Sequence, residues 1–167
     1  HQVSEKPPGK SSPPDPEAQQ IYLKGREALG KAAGVQDSRT RAEILRQAIE
    51  YFEQAVAKDP NHARAYVAIA EAYTWLGGFG AITGQEARPK IKTALAKAIA
   101  IDEKIAEAHQ LLGQLKFWEW DWPGAEAEFQ RARELDPKSR GSFFFNYAAL
   151  LAATGRFDEA LAEVQRV

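Results

Sequence analysis

"AIEYFEQAVAKDPNHARAY" (residues 48–66) and "AEAEFQRARELDPKSRGSF" (residues 125–143) carry one pattern twice. In each, an alanine (Ala48 or Ala125) is followed four residues on by Phe52 or Phe129, then three on by Ala55 or Ala132, then four on by Asp59-Pro60 or Asp136-Pro137. Steps of three and four keep the alanines and the ring on one face of a helix. Proline cannot continue that helix, and the Asp before it favours a turn. A face and a stop that recur together mark a repeated helical unit.

Residues 1–16, "HQVSEKPPGKSSPPDP", hold five prolines and almost no apolar residues, which predicts an extended linker. From Glu17 onward alanine is abundant and apolar residues keep helical spacing, so the chain reads as helix throughout. Breaks are expected around residues 34–40 and 77–88 and at the two Asp-Pro pairs. The chain starts without methionine and has none elsewhere, which leads us to expect a piece of something longer.

The units resemble the tetratricopeptide repeat. That pattern asks for Leu at position 7, Gly or Ala at 8, an aromatic at 11, Ala at 20, an aromatic at 24, Ala at 27 and Pro at 32. The unit starting at Ala106 supplies Leu112, Gly113, Ala125, Phe129, Ala132 and Pro137. The unit starting at Ala63 supplies Ile69, Ala70 and Tyr73, and the first supplies Gly25, Ala48, Phe52, Ala55 and Pro60. A fourth begins near Gly141, turns at "GRFDEA" (155–160) and stops inside its second helix. The resemblance implies an all-α, right-handed solenoid of antiparallel helix pairs, with units at about 17–62, 63–105, 106–140 and a truncated 141–167. Units one and two exceed the period by about ten residues each. We expect that excess as insertions at the hairpin turns, near 34–40 and 77–88. Glu103 replaces the closing proline of unit two, and Lys116 stands where unit three needs an aromatic.

By the same resemblance, positions 2, 5, 9, 12 and 13 of each unit line a concave peptide-binding groove. Here these include Tyr22 and Arg26; Arg64, Val67, Glu71, Thr74 and Trp75; Gln110, Gln114, Phe117 and Trp118; and Phe145. Aromatic anchors would desolvate the ligand, while Arg26, Arg64, Gln110 and Gln114 would fix its register. The stretch "FWEWDWP" (117–123) divides. Trp122, at position 17, is expected buried between its two helices; Trp120 caps a turn or meets a neighbouring unit. Trp118 shares position 13 with Trp75 and either faces the groove or packs on an adjacent helix. The residues that clamp a chaperone's C-terminal carboxylate in some such repeats are absent: Tyr22, Arg26, Ala68, Glu107 and Leu111 stand in their places.

Other chemistries find little support. Net charge is −1, with no concentration of Lys and Arg that would suit nucleic acid. No cysteine is present, so thiolate catalysis and Cys-bound zinc are excluded. "GGFGAITG" (77–84) follows a helix, lacks a Gly-Lys-Ser/Thr ending and is not a phosphate loop. His1, His62 and His109 have no partner at ligand spacing. We therefore expect a non-enzymatic module with no cofactor or metal, binding a protein or peptide and making no direct membrane contact. The alternative is a small-molecule-sensing regulatory domain. Leu161 and Val164 should be exposed at the truncated end and offer a route to self-association. More narrowly, "KFWEWDWPGAEAEFQRARELDP" (116–137) with "GRFDEALAE" (155–163) resembles C-terminal repeats of bacterial membrane-anchored winged-helix regulators or serine/threonine kinases. That implies a signalling role and an extracytoplasmic, periplasmic setting.

Overall fold

The structure is a computed structural model and describes residues 13–138 and 142–165. Among these residues the chain forms eight α-helices and no strand: α1 (Pro16–Gly34), α2 (Ser38–Lys58), α3 (Ala63–Gly78), α4 (Gly84–Ile101), α5 (Ala106–Trp118), α6 (Trp122–Leu135), α7 (Ser142–Ala153) and α8 (Phe157–Val164). Each odd helix pairs with the one after it, and α2, α4 and α6 pack also on the first helix of the next pair. The first helices touch in succession, α1 on α3, α3 on α5 and α5 on α7, whereas α2, α4 and α6 do not meet. A tight inner row and a spread outer row make an all-α helical repeat solenoid, concave on the side of the first helices.

The tightness of each hairpin has a local cause. A Cβ built on Gly25 would lie 2.4 Å from the Phe52 ring, and one on Gly113 would lie 2.8 Å from Phe129. The ring of the second helix thus occupies the space where the first helix has no side chain. The other small residues of the pattern, Ala48, Ala55, Ala70, Ala98, Ala125, Ala132, Ala148 and Ala160, are all buried. Apolar side chains close over them in two clusters. One spans α1 to α5, and the other gathers Phe129, Tyr147, Leu150 and Leu151 from α6 and α7.

The turns follow equally simple rules. Between units the closing aspartate accepts the amide two residues on: Asp59 from Asn61, Asp102 from Lys104 and Asp136 from Lys138, at 2.9–3.1 Å. Unit two keeps this turn with Glu103 in the proline's place, so the aspartate is its common element. Within hairpins, α3, α5 and α7 end alike. The amides of residues 80, 120 and 155 bond three back, and those of 81, 121 and 156 bond five back. That is the Schellman arrangement, and it needs a left-handed residue. Gly80 and Gly155 provide it at φ 71° and 79°; in α5's turn the residue is Trp120, at φ 63°.

Two sequence expectations change here. Residues 1–12 lie outside the described residues, but Pro16 belongs to a helix rather than to a linker. It opens α1, with Asp15 accepting the amides of Glu17 and Ala18 at 2.9 and 3.0 Å. Proline suits that first position because its missing N–H would have no helical partner. The excess length of units one and two is not inserted loop. It is helix: α1 to α4 run for 19, 21, 16 and 18 residues, against 13 and 14 for α5 and α6. The joins shrink to 35–37 and 79–83. Asp37 caps α2, and Thr83 with Glu86 forms a capping box that starts α4 close to α3.

At the far end α8 presents Phe157, Leu161 and Val164 to solvent, with Leu161 57% exposed. No helix among the described residues is long and apolar enough to cross a membrane.

The hairpin geometry predicts two substitutions of opposite sign. Gly113→Ala should overpack against Phe129 and cost about 1–3 kcal/mol. Trp120→Gly should remove left-handed strain and stabilise by about 1 kcal/mol. Urea unfolding of both variants checks this; a neutral Gly113→Ala would mean that the Phe129 ring moves freely.

Candidate functional site

Along the inner row the first helices enclose a groove of about 580 Å³. Ten of the twelve residues that the sequence nominated line it: Tyr22 and Arg26 on α1; Arg64, Val67, Glu71, Thr74 and Trp75 on α3; Gln110, Gln114 and Trp118 on α5. Apart from the adjacent Thr74 and Trp75 they stand three or four apart on their helices, and so share each helix's inner face.

The groove is pinned across helices by polar contacts. Arg26 donates to Glu71 at 2.5 Å, tying α1 to α3. Burial works against the Arg26 charge, but the Glu71 carboxylate outweighs it and holds the guanidinium above its ordinary pKa. Gln114 donates to Asn146 at 3.4 Å, tying α5 to α7. The Thr74 hydroxyl turns back to the Ala70 carbonyl, 2.9 Å away. At the other wall Trp75 meets Phe79 edge to face at 6.1 Å.

Phe117 and Phe145 do not join the groove. Phe117 packs onto the Phe129–Tyr147 cluster, because an apolar ring at the edge of α5's inner face gains more by burial there. Phe145 is 59% exposed, and its neighbour Asn146 faces the groove instead. The groove also takes in Ala68, Leu111 and Asn146, which all stand at position 6 of their units. The signal for them lay in the repeat register itself, since position 6 adjoins position 5 and lies between 2 and 9 on the helical face.

The tryptophan cluster separates in space. Trp118 faces the groove and is half-buried. Trp122 packs against the α6–α7 cluster but is half-buried rather than enclosed, since position 17 opens α6 at the rim. Trp120 is 79% exposed, its ring 6.0 Å from Trp122 in the same turn.

Outside the groove, Lys116 explains its departure from the pattern. Its ammonium lies 3.0 Å from Glu128, and the other oxygen of that carboxylate is 2.8 Å from His109 Nδ1. His109 Nε2 reaches the Glu103 carbonyl at 2.9 Å. A polar triad therefore joins α5 to α6 where an aromatic would otherwise pack. Among the described residues no three acidic or histidine side chains gather to hold a metal ion.

No protein-family model and no curated protein sequence matches the chain. Solved structures do. The chain is similar to the TPR domain of OM64 from Arabidopsis, with 18% identity, TM-score 0.63, and 81% of this chain and 95% of that one covered. It is similar to a thermophilic TPR protein of Thermus thermophilus, at 21% identity, TM-score 0.64 and 89% coverage of each. It is also similar to the first TPR of Spaghetti (RPAP3) bound to the HSP90 peptide SRMEEVD, at 17% identity, TM-score 0.59, and 89% and 97% coverage. The fold is the tetratricopeptide fold. At these identities the likeness speaks for the arrangement of helices and not for the side chains in the groove.

The first wall of the groove rests on His62. Its Nδ1 accepts the Ala65 amide at 3.3 Å and so caps α3, while Nε2 meets Gln19 Oε1 at 3.0 Å. The Tyr22 ring lies 4.9 Å away, and burial pushes the Tyr22 phenol up. Burial likewise pushes the His62 pKa below its ordinary value; the Asp59 carboxylate opposes this and the Arg64 cation adds to it. The neutral ring's contribution is thus complete above about pH 6.5, the unfolded value, and is lost as pH falls through the lower folded value. We predict that wild type loses more urea stability between pH 7.5 and pH 5 than His62→Asn, which keeps a capping acceptor that does not titrate. Equal losses would remove His62 as the cause.

Proposed function

We propose that this chain is a protein-interaction scaffold that takes a peptide segment of a partner protein along the inner groove. The observation that carries this reading is the convergence of Tyr22, Trp75 and Trp118 with Arg26, Arg64, Gln110 and Gln114 around one groove of about 580 Å³. Aromatic walls desolvate a ligand, and separated polar groups fix its register. The similar RPAP3 domain holds a peptide, which supports the class of ligand. The carboxylate-clamp residues are absent, so the peptide is of another kind. Self-association through Phe157, Leu161 and Val164 of α8, and a bacterial, extracytoplasmic signalling setting, belong to the same proposal; the first would register as a concentration-dependent sedimentation coefficient, the second as activity of an alkaline phosphatase fusion.

The test is selection of peptides from a displayed random library, followed by calorimetric titration. Trp75→Ala and Arg64→Glu should each weaken a selected peptide by about tenfold or more, roughly 1.4–2 kcal/mol. Thermal melting reports whether Trp75→Ala stays folded, and Arg64, exposed on the rim, provides a variant whose folding is not at stake. Failure to enrich any peptide, or affinities unchanged in both variants, would end the groove reading.

A further inference from the structure

A second space opens beside the groove. It measures about 340 Å³ and is lined by Tyr73, Gly77, Ala87, Ile91 and Arg88, with Thr74, Gly78 and Trp118 shared between it and the groove. A peptide lying in the groove therefore passes its mouth. Its size is at the lower end of ligand pockets, about 300–1,000 Å³, and suits one large side chain rather than a run of residues.

The space is kept open by an absence that packing does not require. Gly77 is needed for close approach, since a Cβ there would meet that of Ala87 at 3.3 Å. Gly78 is different. A Cβ there would meet nothing within 4 Å, and its φ lies outside the left-handed region that only Gly80 and Gly155 use among the described glycines. Glycine at the last position of α3 costs helix stability relative to alanine. What it leaves is volume, walled by the rings of Tyr73 and Trp118 and floored by Ala87 and Ile91.

Arg88 also lines the space, its guanidinium beside Gly84. It is exposed and has no ion-pair partner among the described residues. On α4 the residues three and four away are Gly84, Gln85, Ile91 and Lys92, none of them acidic. Glu86 is engaged in the capping box, bonded to the Thr83 amide at 2.8 Å. The nearby cations are already placed: Lys90 lies over Tyr73 at 5.2 Å, and Arg41 over Phe79 at 4.2 Å. Arg88 is thus a free guanidinium beside an apolar chamber, which is the complement of an aromatic ring with a carboxylate next to it.

We infer that this chamber is a specificity pocket for an aromatic side chain of the bound peptide, and that Arg88 selects an acidic residue adjacent to it. The inference rests on the groove reading. Its test uses a random peptide library fused to its display protein through the peptide C-terminus, so that no free terminal carboxylate competes with acidic side chains. Selection on wild type should enrich an aromatic residue next to Asp or Glu; selection on Arg88→Glu should lose the acidic preference. Gly78→Leu, which fills open space, should weaken the selected peptide at least tenfold. The same peptide with its aromatic residue changed to alanine should bind wild type and Gly78→Leu alike. Peptides that bind and lose affinity in Trp75→Ala, yet show no aromatic–acidic pair or do not respond to Gly78→Leu, would overturn the pocket while leaving the groove intact. No enriched peptide at all would overturn both.

Discussion

Everything else in this molecule depends on how closely two helices of one hairpin can approach. Phe52 and Phe129 lie where Gly25 and Gly113 have no Cβ, and Gly77 meets Ala87 with no side chain of its own. Ordinary side chains hold helix axes 8–10 Å apart; glycine and alanine at the crossing let the hairpin close toward the short end of that range. Closed hairpins then stack, and the stack bends so that only the first helices touch in succession. The groove is a consequence of that bend. The residues in it furnish its surface, and Arg26–Glu71 and Gln114–Asn146 add ties between neighbouring first helices.

Much of this was legible in the chain itself. The small residues of the repeat are all buried, and most of the residues that line the groove are those that the resemblance to the repeat family nominated, once the register was set. Register works because a helix presents fixed positions to its neighbours whatever the residues are. It fails where chemistry competes with geometry. Phe117 stands at the same position as Thr74, yet it turns to the Phe129–Tyr147 cluster because a phenyl ring gains by burial what a hydroxyl does not. Phe145 and Asn146 are neighbours on α7 at positions 5 and 6; the register admits both to the inner face, and only the amide lines the groove. Pro16 looked like linker because proline density was read without its position; next to Asp15 it is a helix start.

The polar substitutions show how much variation the fold absorbs. Lys116 takes an aromatic's place, and the loss is met by Glu128 and His109, a polar network half-screened from water. Glu103 takes a proline's place, and the turn survives because Asp102 still accepts the amide of Lys104. Trp120 occupies a turn position that Gly80 and Gly155 fill elsewhere, and the Schellman hydrogen bonds persist at some cost in backbone strain. Each departure keeps the hydrogen bonds or ion pairs that close its turn or join its hairpin.

The one departure with consequences for the surface is length. A unit of standard period would end its first helix about where α5 ends. In unit two α3 continues to Gly78, and α4 starts at Gly84 rather than after a long loop. The additional turns carry Gly77, Gly78, Gly84 and Ala87, the small residues that wall the side chamber, while the shorter α5 brings Trp118 against them. Extra helix with large side chains would have been filled core; extra helix with glycine and alanine is unfilled space beside a groove. The stretch "GGFGAITG", which has neither the spacing nor the setting of a phosphate loop, is therefore where unit two acquires a recess that the shorter unit three has no residues to build.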